Sequence, residues 1–139
     1  MKCAMELIMT ATIKAEEEAI RQAIEEQQKK ERQRAYTLRY CEKLGEQLEA
    51  IAETGKTPKV IFYCGKWDTR PLAPTYNDYA DKRLSYRTNG ESLDLELMAE
   101  WFAQYCFCVS IKEYGYYTYG CGYCSGLEVL IAPDPECIK

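Results

Sequence analysis

LSYRTNGESLDLEL, residues 84–97, has two readings, and the choice between them decides the fold. Leu84 and Tyr86 alternate ahead of Asn89-Gly90, and Leu93, Leu95 and Leu97 alternate behind it, the pattern of a β-hairpin closed by a type I′ turn. Read onward into MAEWFAQY, residues 98–105, the apolar positions Leu93, Leu97, Met98, Trp101, Phe102 and Tyr105 fall instead on one face of a helix, with Ser92 in place as an N-cap. The helical pattern is the longer of the two. It predicts an amphipathic helix over about 92–105 and leaves a short strand at 83–87.

On the C-terminal side the chain turns to β. From Cys106 to Ile111, Phe107, Val109 and Ile111 alternate with Cys106, Cys108 and Ser110. Gly115, Gly120 and Gly122 punctuate a tyrosine-rich run that reads as a glycine-hinged loop, and Leu127–Ala132 reads as a further strand, stopped by Pro133 and Pro135. On the N-terminal side, Val60-Ile61-Phe62-Tyr63 is a β-branched and aromatic run typical of a buried strand. Gly65 to Ala80 carries two prolines and several polar residues and reads as loop.

Before residue 55 the chain is helix-forming from about residue 10, without a proline, and Thr54-Gly55 followed by Pro58 marks its end. Ile13, Ile20 and Ile24 make one apolar stripe, and Cys41, Leu44, Leu48 and Ile51 make another. Between them EEQQKKERQR, residues 25–34, has no apolar side chain and packs on no core. One long helix is expected, its C-terminal half on the domain and its N-terminal half on a partner or a second copy; no turn residue marks an antiparallel helix pair. The expected fold class is α+β: a long N-terminal helix (1–55), and a compact domain (56–139) in which a small, mostly antiparallel sheet packs against the second amphipathic helix.

Composition narrows the function classes. At 139 residues the chain is long enough for one domain with a real core. It has no histidine, so triads, histidine bases and histidine metal ligands are out. Its net charge of −4 argues against binding nucleic acid over the whole surface. Glu6 interrupts the apolar start, no cleavage pattern follows, and no run approaches a membrane span, so a cytoplasmic protein is expected. In that compartment the eight cysteines are expected as thiols or metal ligands.

Three candidate sites remain. Cys106, Cys108, Cys121 and Cys124 supply four thiolates suited to zinc. Against this, Cys106 and Cys108 on a regular strand stand about 6.6 Å apart and read more simply as small inward residues beneath the helix. The second site, Lys66 to Arg87, sets five cations against three aspartates and interleaves them with aromatics. Trp67, Arg70, Tyr76, Tyr79, Arg83 and Arg87 there suit a protein interface, or alternatively the stacking and phosphate contacts of a single-strand or RNA binder. The third is the tyrosine loop, with Tyr114, Tyr116, Tyr117 and Tyr119 as contact residues. No phosphate loop or nucleophile–base pair is legible, and Glu96 with Glu100 reads as a solvated helix face. The sequence therefore points to a non-enzymatic protein-binding module without a cofactor. A small inhibitor or adaptor from a bacterium or phage, of the anti-CRISPR type that blocks a nucleic-acid-handling enzyme, has this size and acidity. The zinc-stabilised four-cysteine module and the nucleic-acid binder are the alternatives.

Overall fold

The structure, a computed structural model, describes residues 1–77, 80–85, 91–118 and 122–137. The fold is α+β. Helix α1 (Ala4–Glu53) is followed by strands β1 (Val60–Gly65), β2 (Pro71–Asn77) and β3 (Ala80–Ser85), helix α2 (Leu95–Ala103), and strands β4 (Phe107–Thr118) and β5 (Gly122–Pro133). The strands form one sheet in the order β3-β2-β1-β5-β4, antiparallel at every pairing. The edge strands β3 and β4 approach within 8 Å between Cα atoms, so the sheet is curled. Two compact units divide the chain, Met1–Arg32 and Gln33–Lys139. The predicted boundary at 55/56 marks the end of the helix, whereas the units divide inside it.

In the first unit the helix begins at Ala4, six residues before the expected start at 10. The hydroxyls of Thr10 and Thr12 donate to the carbonyls of Glu6 and Ile8, so these β-branched residues sit within the helical ladder instead of opening it. At the other end Gly55 takes φ +83° and donates to the Ala52 carbonyl, the left-handed cap that Thr54-Gly55 announced.

In the second unit one face of the sheet is covered. Phe62 and Cys64 of β1, with Val129 and Ile131 of β5, are buried against Cys41, Leu44 and Leu48 of α1 and Met98 and Phe102 of α2. The registers Phe62↔Val129 and Val109↔Ile131 put Val109 of β4 on that same face. Thr37 joins the two helices: it is fully buried, its Oγ1 donates to the Gln33 carbonyl at 2.7 Å, and it accepts from the Asp94 amide at 3.0 Å.

That contact corrects the start of α2. Asp94, not Ser92, is the N-cap, its Oδ1 accepting from the Leu97 amide at 3.2 Å. Leu93 cannot turn into the helix because its amide donates to the Thr69 carbonyl at 3.1 Å and its carbonyl accepts from the Thr69 hydroxyl at 2.6 Å. These bonds hold the segment extended until Asp94.

Three other expectations are corrected. Residues 71–77 are strand, not loop: Pro71 opens β2, where a missing N–H costs no ladder bond. The expected strand at 83–87 is β3, which begins at Ala80 and ends at Ser85; residues 86–90, the expected turn, lie outside the described set. The tyrosine run through Thr118 belongs to β4 and is paired with β5 as far as Thr118↔Gly122. Glycines at 115 and 126 did not break the ladder, because twelve consecutive pairs across the hairpin hold it.

Candidate functional site

The loop from Gly65 to Arg70 joins β1 to β2 and carries the first predicted contact residues. It is short and internally tied: the Gly65 amide donates to the Arg70 carbonyl at 2.9 Å, and the Thr69 amide donates to the Gly65 carbonyl at 3.0 Å. Thr69 takes φ +53°, a conformation unusual for a β-branched residue, held here by its two bonds to Leu93. The result is a turn that pushes Trp67 out, 88% exposed, with the Lys66 ammonium 5.1 Å from its ring centroid. Lys66 also pairs with Glu113 of β4 at 2.6 Å, and Arg70 faces Asp68 at 3.8 Å. The loop thus holds a large aromatic in solvent while being braced from two sides, by Leu93 and by Glu113.

Glu113 precedes Tyr114, and Tyr114 lies on the sheet face opposite the core. There its ring packs edge-on against Tyr63 at 5.1 Å between centroids, with Leu72 of β2 beneath. Gly126, directly opposite Tyr114 on β5, puts no side chain between the two rings. The structure thus ties the Trp67 loop to β4 through Lys66 and Glu113, but Glu113 shares the Leu127–Cys64 face of the sheet while Tyr114 lies on the other. Tyr76 and Arg83 are placed on β2 and β3, and Tyr116 and Tyr117 on β4, but their side chains lie outside the described set. Tyr79, Arg87 and Tyr119 lie outside the described residues altogether. The curl of the sheet brings the β3 and β4 backbones of the two candidate groups near each other.

The cysteine set is rearranged. Cys106 is not on the strand: it stands before β4 with φ +63°, and its sulfur is bonded to Cys137. A disulfide sulfur is no thiolate ligand, so the predicted four-thiolate set is incomplete in this form. Cys108 is a half-buried free thiol, on the face opposite Phe107 and Val109 and not beneath the helix. Cys121 lies outside the described residues, and Cys124 is placed only by its strand. Among the described residues no group of three or more Cys, Asp or Glu is positioned to hold a metal. The pairing of Cys106 with Cys137 was missed because the two are 31 residues apart, Cys106 reads with its neighbour Cys108 as part of a thiolate set, and thiols are the expectation for a cytoplasmic chain.

The buried thiols are chemically quiet. Burial pushes Cys41 and Cys64 up to about 11, with Glu42 and Asp68 adding to the shift, and pushes the Tyr40 phenol up to about 12. A thiol held protonated at neutral pH is a poor nucleophile.

The first unit is different in kind. From Met1 to Arg32 every side chain is exposed, and Met5, Leu7, Ile8, Met9, Ile13, Ile20 and Ile24 are each at least 49% exposed. With the helix starting at Ala4, Met5 and Met9 extend the Ile13–Ile20–Ile24 stripe at helical spacing. The sequence reading missed these two because it placed them before the helix. Against this chain no family model matches, no curated protein matches and no solved structure matches. No helix among the described residues is long and apolar enough to cross a membrane.

Proposed function

We propose that this chain is a non-enzymatic protein-binding module that engages another protein through the exposed apolar stripe of its N-terminal helix. The observation that carries the reading is the uncovered stripe: Met5, Met9, Ile13, Ile20 and Ile24 follow one face of a helix that buries none of them. Single exposed apolar residues are ordinary, but five recurring on one face of a water-exposed helix, in two groups separated by Glu16 and Glu17, mark an interaction surface. Trp67, with the Lys66 ammonium against its ring and Arg70 on the same loop, offers a second contact region, of the residue types that dominate interfaces.

Within this reading the chain acts by occupying a surface. Its net charge of −4 suits a partner with a basic face, as nucleic-acid-handling enzymes have, so a small inhibitor or adaptor of bacterial or phage origin is the kind proposed. We place it in the cytoplasm. There the glutathione pool opposes a bond such as Cys106–Cys137, and the bonded pair describes the oxidised form.

The test is affinity purification of the tagged chain from its source cells, beside a variant carrying Ile13→Asp and Ile20→Asp. Both positions are exposed, so the variant is expected to stay folded by circular dichroism. A stoichiometric partner held by the natural chain and lost by the variant supports the reading. Equal recovery by both would exclude the stripe. Light scattering decides whether the partner is a second copy.

A further inference from the structure

The second unit contains an apolar groove that the stripe and the Trp67 loop leave unused. It is a cavity of about 460 Å³ between the C-terminal half of α1, the end of α2 and the start of β4. Its floor is aromatic. Trp101 packs against Tyr105 at 5.0 Å and edge-on against Phe102 at 4.8 Å between centroids, and Phe102 meets Phe107 at 6.3 Å. Gly45 creates the depth on the α1 side: a Cβ there would stand 3.5 Å from the Trp101 ring, so any longer side chain would enter the space. Volume and apolar lining are those of a ligand-sized site.

The rim carries one sign of charge. Glu42, Glu46 and Glu49 recur at helical spacing along the α1 wall, and no lysine or arginine lines the groove. Among the described residues none of the three forms an ion pair. The helix ends nearby add to the field, since neither α1 nor α2 has a basic residue in its last turn to offset the partial negative charge of its C-terminus.

These features select an occupant. A purely apolar group would fill the floor but leave the three carboxylates of the rim without a counter-charge. A phosphate-bearing ligand would be repelled. A small inorganic cation would leave the aromatic floor uncovered. We propose that the groove binds an arginine of a partner protein, presented in a peptide segment with an apolar residue next to it. The guanidinium is planar and weakly hydrated. It stacks on the aromatic rings of Trp101 and Tyr105 while donating to Glu46, the central carboxylate of the three, and the neighbouring apolar side chain covers the rest of the floor. Lysine matches the charge but not the stacking. The site lies on the other compact unit from the helix stripe, and neither proposal depends on the other.

The test is a titration of the full chain with acetyl-Leu-Arg-amide, followed by two-dimensional NMR at the Gly45 amide and the Trp101 indole N–H. The same titration uses acetyl-Leu-citrulline-amide, the uncharged isostere, and acetyl-Leu-Lys-amide. The arginine peptide should shift both signals with saturation, the lysine peptide should bind more weakly, and the citrulline peptide should bind at least about tenfold more weakly. Glu46→Gln, an exposed and fold-neutral change, should weaken the arginine peptide about three- to tenfold. Ile13→Asp with Ile20→Asp should leave the titration unchanged. Absence of a shift at Gly45 and Trp101, equal binding of the citrulline peptide, or indifference to Glu46→Gln would overturn the proposal.

Discussion

Thr37 is the residue on which the junction of the two helices turns. Its hydroxyl is fully buried and both of its hydrogen bonds are internal, one back into α1 and one from the amide that precedes α2. Thr37→Val keeps the shape but leaves the Asp94 amide without that acceptor, so a loss of about 1–3 kcal/mol is expected by urea denaturation. Gly45 makes an opposite case. A methyl group on Gly45 would stand 3.5 Å from the Trp101 ring, an ordinary contact, so Gly45→Ala should fit and gain helix propensity. The expected gain is about 0.5–1 kcal/mol, and Gly45→Leu should lose stability by forcing Trp101 aside. Cys41 and Cys64 give the protein an alkaline limit. Their thiols ionise near 9 when unfolded and about 11 when folded. Below pH 9 both states keep the proton and the native state has its full stability. As pH rises from about 9 to about 11 the unfolded chain releases protons the folded chain retains, so stability must fall across that window. Denaturation midpoints measured over that range should decline, and alkylation at neutral pH should modify exposed Cys3 long before either core thiol.

At the scale of elements, what was legible in the sequence depended on whether local pattern and tertiary contact agreed. The apolar spacing from Leu93 to Tyr105 correctly favoured helix over hairpin, because Met98 and Phe102 recur on the face that meets the core. Its first turn was misplaced because Thr69, more than twenty residues upstream, holds Leu93 extended. The spacing Cys41–Leu44–Leu48 named the buried face of α1 directly. By contrast β2 was hidden by its two prolines, and the reach of β4 by Gly115, since ladder pairing to β5 supplies what local propensity lacks. For the candidate sites, Trp67 was legible as an exposed aromatic among cations, but the tie of its loop to β4 through Lys66 and Glu113 is a contact across 47 residues that no motif encodes. The C-terminal anchor is of the same kind. Cys106 and Cys137 close a loop across β4 and β5, and Cys106→Ser should cost about 2–4 kcal/mol under oxidising conditions. Intact mass before and after reduction checks the bond itself; an unchanged melting temperature with reductant would show that it contributes nothing.

For the whole molecule, the division at Arg32/Gln33 separates a unit that buries nothing from one that holds the entire described core. Residues 33–139 should therefore fold without the first unit, with a denaturation midpoint in urea close to that of the full chain. A chain that maintains an uncovered stripe of Met5, Met9, Ile13, Ile20 and Ile24 carries a solubility liability unless a partner covers it. The function proposed for this protein rests on that stripe more than on any loop or cysteine. Its most direct test is the paired affinity purification of the natural chain and the Ile13→Asp, Ile20→Asp variant. The account predicts one stoichiometric protein bound to the former and absent from the latter, with both chains equally folded. Recovery of the same partner by both chains, or of no partner by the natural chain, would contradict it.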